Sequence, residues 1–243
     1  MAHVKKVNVV LLLLILSCWA LQGQTLQPDS IIIKSALLST IKLYDLAMGE
    51  NSHLYNGREF IDPFKRKVAA GHIYFVTDDW QDGLIYYDGQ LYEHVSLRLD
   101  LFQNKVIVEQ PRSHREIELD SKKINYFRIG GQNFVRLTSP SEGFYARIYN
   151  GEVKVYIWHY KTLKENTEGK TLVSEFYAKE KVYIFKNQTY HQVKTKSAAL
   201  AVFKERKSEL KKLVKQERLS FREDKEHALI SIARYYDQLN ADK

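Results

Sequence analysis

The chain has little cysteine and none of the short motifs that mark common catalytic sites. Its single cysteine, Cys18, leaves no partner for a disulfide bond within the chain, which excludes disulfide-stapled secreted scaffolds. The sequence has no G-x-S-x-G, no H-E-x-x-H, no phosphate-binding loop and no C-x-x-C pair. Its histidines are spread singly, without the close spacing of zinc ligands on one element. These absences favour a protein without catalytic residues, metal or cofactor.

Long hydrophobic runs are also scarce, and the clearest one lies near the start. Residues 7–17 read VNVVLLLLILS, directly after Lys5 and Lys6, and polar residues follow. A membrane-spanning helix needs about 20 apolar residues, whereas a basic start and a short apolar run are typical of a secretory signal. The sequence therefore predicts a signal peptide over 1–23 and an exported protein that is periplasmic, outer-membrane-associated or extracellular. A retained N-terminal anchor is the alternative.

Cys18 has two interpretations at the end of this run. It is either the lipid-attachment cysteine of a bacterial lipoprotein or a residue that is removed with the signal. Leu16 stands two residues before it, where a lipoprotein signal usually has a small residue. This departure favours removal, and lipidation stays the alternative.

Charge of one sign dominates one region. The chain has a formal net charge of +8, and ten Lys and Arg residues lie between Lys194 and Arg222 against three Glu residues. In an exported protein this basic region disfavours nucleic acid and favours anionic membrane lipid, polysaccharide or an acidic polymer as a partner. A solvated lysine-rich helix face over 204–222 is the simpler explanation.

The pattern of apolar residues changes twice along the chain. Apolar residues at helical spacing predict a helix within 31–47 and further helices after Lys196. Between these regions lie about ten to twelve short strands separated by turns at Asp88-Gly89, Gly130-Gly131 and Asn150-Gly151, with a further turn near Lys179-Glu180. The connections are too short for crossover helices, so the strands should pair antiparallel.

These patterns predict a mainly β fold with flanking helices. The antiparallel meander forms a curled sheet, sandwich or open barrel, with one N-terminal helix and two to three C-terminal helices packed on it. The predicted divisions are a signal peptide (1–23), a helical and irregular segment (24–71), a β domain (72–195) and C-terminal helices (196–243).

Aromatic residues are abundant, with 16 tyrosines and three tryptophans. Because aromatic rings offer flat apolar faces and Tyr a polar tip, some of them could line a groove for a sugar or a peptide. The alternative is that they divide between the core and cross-strand pairs. The candidate groove residues are Trp80, Tyr87, Tyr92, Trp158 and Tyr160.

Several longer strings resemble an uncharacterised family of exported envelope proteins of Gram-negative bacteria. They are NSHLYNGREF, GHIYF, WQDGLIYYDGQLY, GGQNFVRL and GFYARIYNGEVKVY, followed by the C-terminal strings SELKKLVKQ and ARYYDQLN. The resemblance covers most of the chain after the signal. It implies an envelope location and a fold built from hairpins and C-terminal helices, and it implies no catalytic residues.

We therefore expect a non-enzymatic exported envelope protein with a binding or scaffolding role. One alternative is a secreted hydrolase of glycan or peptide that uses two carboxylates as acid and base. Its candidates are Asp78, Asp82, Glu93 and Asp100. The other alternative is a carrier of lipid or another apolar ligand, which requires an apolar cavity of at least about 300 Å³ within the sheet.

Overall fold

The computed structural model describes residues 39–40, 52–64, 70–168 and 171–241, without the side chains of 166–168 and 171–173. The chain divides into two compact units, Met1–Gly49 and Glu50–Lys243, and the structure below belongs to the second. The predicted signal peptide and Cys18 lie outside the described residues. So does the helix predicted over 31–47, apart from Ser39 and Thr40, which are helical.

The second unit is built on one antiparallel sheet of eleven strands that does not close on itself. The strands are β1 (Arg58–Glu59), β2 (Gln81–Tyr87), β3 (Gln90–Asp100), β4 (Lys105–Glu109), β5 (Glu116–Glu118), β6 (Ile124–Ile129), β7 (Gln132–Leu137), β8 (Gly143–Asn150), β9 (Lys154–Glu168), β10 (Thr171–Lys186) and β11 (Thr189–Val193). The mainly antiparallel β prediction is confirmed, including the strand number.

The strands follow one another as a meander with a single change of direction. The order across the sheet is β1-β5-β4-β3-β2-β6-β7-β8-β9-β10-β11. From β2 to β5 each strand adds on one side, and β6 then pairs with the other side of β2. The two edges of the sheet are therefore β1 and β11.

Turns with two residues at positive φ join several of these strands. Asp88 (φ 50°) and Gly89 (φ 85°) connect β2 to β3, and Gly130 (φ 57°) and Gly131 (φ 75°) connect β6 to β7. A two-residue type I′ turn needs positive φ at both central positions, which Asp-Gly and Gly-Gly supply at low cost. The sequence signals for these two turns are confirmed.

The turn predicted near Lys179-Glu180 is wrong. Both residues lie within β10, opposite Tyr160 and His159 of β9, and the chain reverses between Glu168 and Thr171 instead. The continuous ladder supplies backbone hydrogen bonds to this polar stretch, which a local polar signal does not predict.

Three helices follow the sheet: α1 (Lys196–Val202), α2 (Lys207–Gln216) and α3 (Lys225–Ala241). They pack on one face of the sheet, which we call the inner face. Leu210 of α2 and Ile232 of α3 share a core cluster with Val155 and Ile157 of β9. Alternation along each strand places the other side chains on the opposite, outer face. None of the described helices is long and apolar enough to cross a membrane.

Polar contacts fasten the helices to the inner face. Lys186 of β10 lies over the rings of Phe203 and Tyr236 and donates hydrogen bonds to the Val202 carbonyl (3.1 Å) and to Glu205. Tyr236 donates its hydroxyl proton to the same Glu205 carboxylate at 2.5 Å. We call these residues the Lys186 cluster.

Candidate functional site

A cavity of about 380 Å³ opens on the outer face of the sheet beside β3. Charged groups and aromatic rings share its wall, which is uncommon for a packing defect because unfilled core spaces are apolar. The wall includes Asp62, Tyr74, Asp78, Trp80, Arg98 and Glu116. We call it the Arg98 cavity.

Strand alternation aims Arg98 at this cavity. Leu97 and Leu99 are fully buried in the inner core, so the residue between them must face outwards. Two strands away, Ile117 of β5 is buried on the inner face, and its neighbour Glu116 faces outwards. Arg98 Nη1 lies 3.6 Å from Glu116 Oε1, so the cation and the carboxylate meet across β4.

Two aromatic rings hold the Arg98 guanidinium. Its Cζ atom lies 4.1 Å from the centroid of the Trp80 ring and 4.8 Å from that of Tyr74, within the range of cation–π attraction. The side chain is 15% exposed, and its Nε atom is buried without a hydrogen-bond partner among the described residues. A buried polar atom that lacks a partner destabilises the folded state by about 1–3 kcal/mol. The described residues therefore leave this donor of Arg98 unsatisfied, while the Arg98 side chain lines the cavity.

Tyr74 and His72 are neutral in this site. Burial and the nearby Asp62 carboxylate raise the pKa of Tyr74 well above its usual range, and its hydroxyl donates to Asp62 Oδ2 at 3.4 Å. Burial and the Lys161 charge lower the pKa of His72. His72 Nδ1 accepts from the Tyr74 backbone N–H at 3.1 Å, so the ring proton lies on Nε2.

Two further ionisable side chains, those of Lys161 and Asp100, lie near the cavity. Lys161 Nζ donates to the His72 carbonyl at 2.6 Å, and burial lowers the pKa of Lys161. Asp100 is fully buried, and its Oδ1 accepts from the backbone N–H groups of Phe102 (2.7 Å) and Gln103 (2.9 Å). Burial raises the pKa of Asp100 to about 6, even though these two hydrogen bonds lower it.

The structure does not bring the five predicted groove residues together. Trp80 lines the Arg98 cavity. Tyr87 and Tyr92 are buried in the inner core. Trp158 and Tyr160 lie on the outer face of β9, where Lys181 Nζ is 4.9 Å and 5.4 Å from the two ring centroids.

The four candidate carboxylates of the hydrolase alternative are also spread out. Asp78 lines the Arg98 cavity, and Asp100 is buried next to it. Asp82 Oδ1 lies 3.5 Å from His94 Nδ1 on an exposed part of the β2–β3 hairpin, and Glu93 is exposed on the same hairpin.

Sequence reasoning missed most of the cavity wall, including Asp62, Tyr74, Arg98 and Glu116. One local signal was present: in SLRLD the leucines alternate with Arg98 and Asp100, which assigns both charged residues to one face of a strand. The meeting with Asp62, Tyr74 and Glu116 depends on contacts between distant parts of the chain. No local pattern reports such contacts.

Within the described ranges, no group of three His, Cys, Asp or Glu side chains is arranged to hold a metal ion. Comparison of the chain with protein-family models, curated proteins and solved structures finds no match. The chemistry of the Arg98 cavity is therefore the basis for assigning a function.

Proposed function

We propose that this protein is an exported, non-enzymatic envelope protein that binds a saccharide in the Arg98 cavity. One observation carries the proposal: aromatic rings, carboxylates and an arginine share the wall of one small cavity. A sugar ring offers apolar C–H faces to aromatic side chains and hydroxyl groups that both donate and accept. Carboxylates accept such hydrogen bonds, and a guanidinium donates them.

The size of the cavity supports a small ligand or the end unit of a chain. Ligand pockets usually measure about 300–1,000 Å³ and combine apolar walls with a few polar groups that fix orientation. The Arg98 cavity, at about 380 Å³, lies at the lower end of this range. One or two sugar units suit this volume better than a long peptide.

The charges of the wall narrow the class of sugar. Asp62, Asp78 and Glu116 contribute three carboxylates against the single guanidinium of Arg98, and His72 is held neutral. An anionic ligand would meet net repulsion in this partly desolvated space. Neutral or amino sugars are therefore the proposed ligands, in preference to uronic acids.

The proposed export is supported by the short apolar run over 7–17 and the basic residues before it. Fractionating native cells and mapping the N-terminus of the protein by mass spectrometry tests it. We expect a chain that starts after residue 20 in an envelope or extracellular fraction. A chain that retains Met1 in the soluble cytosol would contradict export and leave the saccharide site untouched.

The binding test uses isothermal titration calorimetry with neutral, amino-sugar and uronic-acid oligosaccharides. We expect binding of the first two classes and a loss of affinity on the order of tenfold in Trp80→Ala, because the ring is both a stacking surface and a support for Arg98. Trp158→Ala is the matched control, since Trp158 also has a cation over its ring but lies outside the cavity. It should bind as the unaltered protein does.

Two outcomes would contradict this proposal. Loss of binding in Trp158→Ala but not in Trp80→Ala would move the site to the outer face of β9. Release of new reducing ends from an oligosaccharide, abolished by Asp78→Asn, would replace the binding role with the hydrolase alternative.

A further inference from the structure

A second cavity lies among the C-terminal helices, far along the chain from the Arg98 cavity. It measures about 530 Å³ and is formed by α1, α2 and the residues that follow α2. Its apolar residues are Leu200, Val214 and Leu219. Its charged residues are all cations: Lys196, Lys211, Lys215 and Arg218. We call it the basic groove.

The helical phase of α2 produces this combination. Leu210, Leu213 and Val214 are buried, so the apolar stripe of α2 packs inwards. Lys211 and Lys215 are one turn apart at i and i+4 and are exposed at the border of that stripe. Long lysine stems cover apolar surface while their ammonium groups stay in water. The groove is therefore apolar at its base and cationic at its border.

The cations of the groove lack opposing charges in the described parts of the chain. No ion pair joins Lys196, Lys211, Lys215 or Arg218 to a described carboxylate. Two acids of the same region are already engaged, because Glu205 pairs with Lys186 and Glu209 pairs with Arg206. Like charges at i and i+4 repel one another and destabilise a helix slightly. A bound anionic surface would relieve that repulsion.

The groove also lies where the positive charge of the chain is concentrated. Residues 196–222 hold nine Lys and Arg against three Glu, a formal charge of +6 of the +8 of the whole chain. Such a concentration attracts an anionic surface over a distance comparable to the Debye length, about 8–10 Å at physiological salt.

We propose that the basic groove docks this protein on an anionic lipid surface. Lipid phosphates lie against Lys211, Lys215 and Arg218, and the apolar part of a lipid contacts the lysine stems and the small exposed parts of Leu200 (4%), Val214 (8%) and Leu219 (7%) at the base of the groove. Three of the four cations are lysines, which act as point charges towards phosphate in many orientations. An apolar base beside phosphate-binding cations suits a lipid, which carries both chemistries.

The test is flotation with vesicles of phosphatidylcholine alone and of phosphatidylcholine mixed with phosphatidylglycerol. We expect the protein to float with the mixed vesicles only. Lys211→Gln/Lys215→Gln/Arg218→Gln should weaken the partitioning on the order of 100-fold, because each cation near an anionic bilayer contributes roughly fivefold. All three side chains are exposed, so thermal unfolding should stay nearly unchanged.

The matched control is Lys122→Gln/Lys179→Gln/Arg112→Gln. It removes the same charge from three exposed residues outside the groove. Because both variants and the unaltered protein share the apolar run over 7–17, any contribution of that run is common to all three. The control should keep most of the binding. Equal losses in the two variants would overturn the proposal, since net charge alone would then explain binding.

Two further measurements distinguish a lipid surface from other possible occupants of the basic groove. Displacement of the protein from vesicles by inorganic phosphate at matched ionic strength would overturn the lipid surface in favour of a free-anion site. Binding of polyglutamate without binding of mixed vesicles would overturn it in favour of an acidic protein partner. If the Arg98 cavity bound no saccharide, the vesicle measurements would keep their meaning, because that cavity shares no residue with the basic groove.

Discussion

Arg98 and Lys186 are both cations held over two aromatic rings, but they lie on opposite faces of the sheet. Lys186 Nζ is 4.8 Å from the centroid of the Tyr236 ring and 5.6 Å from that of Phe203. Arg98 Cζ is 4.1 Å from the centroid of the Trp80 ring. Ring geometry alone therefore does not distinguish the two.

Their hydrogen bonds do distinguish them. Lys186 donates to the Val202 carbonyl and to Glu205, and its side chain is 8% exposed. Arg98 has a loose ion pair of 3.6 Å with Glu116 and a buried Nε atom without a described partner, and it borders a cavity. A cation that donates to two groups of the fold joins elements of the fold, whereas a guanidinium that borders a cavity and is held by aromatic rings and a loose ion pair can donate to a ligand there.

A carboxylate of the Lys186 cluster and a carboxylate near the Arg98 cavity have pKa values shifted in opposite directions. Partial burial opposes ionisation of Glu205, but the hydrogen bonds from Lys186 and Tyr236 prevail and lower its pKa to about 2. Burial raises the pKa of Asp100 to about 6. The two groups should therefore make stability depend on pH with opposite signs.

The largest predicted effect is the pH dependence due to Asp100. Its raised pKa gives a stabilising contribution that is complete below about pH 4 and is lost as pH rises through about 6. Relative to Asp100→Asn, the unaltered protein should lose about 3 kcal/mol of unfolding free energy between pH 3 and 8. Urea unfolding at several pH values measures it.

Glu205→Gln provides the opposite sign. The lowered pKa of Glu205 stabilises the fold above about pH 4.5, and this contribution is lost as pH falls towards 2. The difference in unfolding free energy between the unaltered protein and this variant should therefore shrink in acid. If the stability difference from the unaltered protein changed with pH in the same direction for Glu205→Gln and Asp100→Asn, the contrast between the Lys186 cluster and the surroundings of the Arg98 cavity would be contradicted.

The second-largest effect is expected from a substitution that disrupts the Lys186 cluster. Lys186→Met keeps the apolar stem but leaves the Val202 carbonyl and Glu205 without their donor, so the free energy of unfolding should fall by about 2 kcal/mol. Chemical denaturation measures this loss. Saccharide affinity should stay unchanged, and a loss of affinity in a folded variant would contradict the separation of the two roles.

The third prediction concerns the Arg98 cavity, where a substitution should reduce ligand affinity and leave stability nearly unchanged. Arg98→Met should weaken saccharide binding on the order of tenfold while changing the free energy of unfolding by under about 1 kcal/mol, because the Arg98 ion pair is loose. Calorimetry and denaturation of the same protein sample measure both. A large stability loss with unchanged affinity would make Arg98 a structural residue like Lys186.

The smallest expected effect comes from Tyr236 and tests how much its hydroxyl group contributes to the Lys186 cluster. Tyr236→Phe keeps the ring beneath Lys186 and removes only the hydroxyl that donates to Glu205, so the free energy of unfolding should fall by about 1 kcal/mol. Thermal or urea unfolding detects it. A loss as large as that of Lys186→Met would mean that the hydroxyl, and not the cation, joins the helix to the sheet.

Much of the fold follows from local patterns. Alternation along each strand and Asp-Gly or Gly-Gly turns are properties of neighbouring residues, so they predicted antiparallel hairpins and their number. The turn predicted at Lys179 and Glu180 was wrong because it also rested on neighbouring residues. Two adjacent polar residues are typical of a turn, but pairing with β9 keeps these two in a strand. Their partners lie about twenty residues away in the sequence, beyond any local signal.

The candidate site was less predictable, and Tyr92 illustrates why. His94 has a φ of 56° and forms a bulge opposite Gly83 and Leu84, so both Tyr92 and Val95 face the inner core. A bulge reverses the alternation for the residues before it, and nothing in the letters of the strand reports this shift. Tyr92 was therefore a plausible groove residue that the bulge directs into the core.

The two edges of the sheet have a consequence for the protein in a crowded compartment. The strands at these edges are short, two residues in β1 and five in β11. An exposed edge strand is a template on which another chain can add its own strand, and aggregation begins in this way. β11 pairs only with Val182–Lys186 of β10, so the earlier part of β10 is a longer open edge, where the described partner is Ala70 opposite Glu175. Addition of a strand from a second chain is therefore limited at β1 and β11, and the uncovered part of β10 is where it would begin.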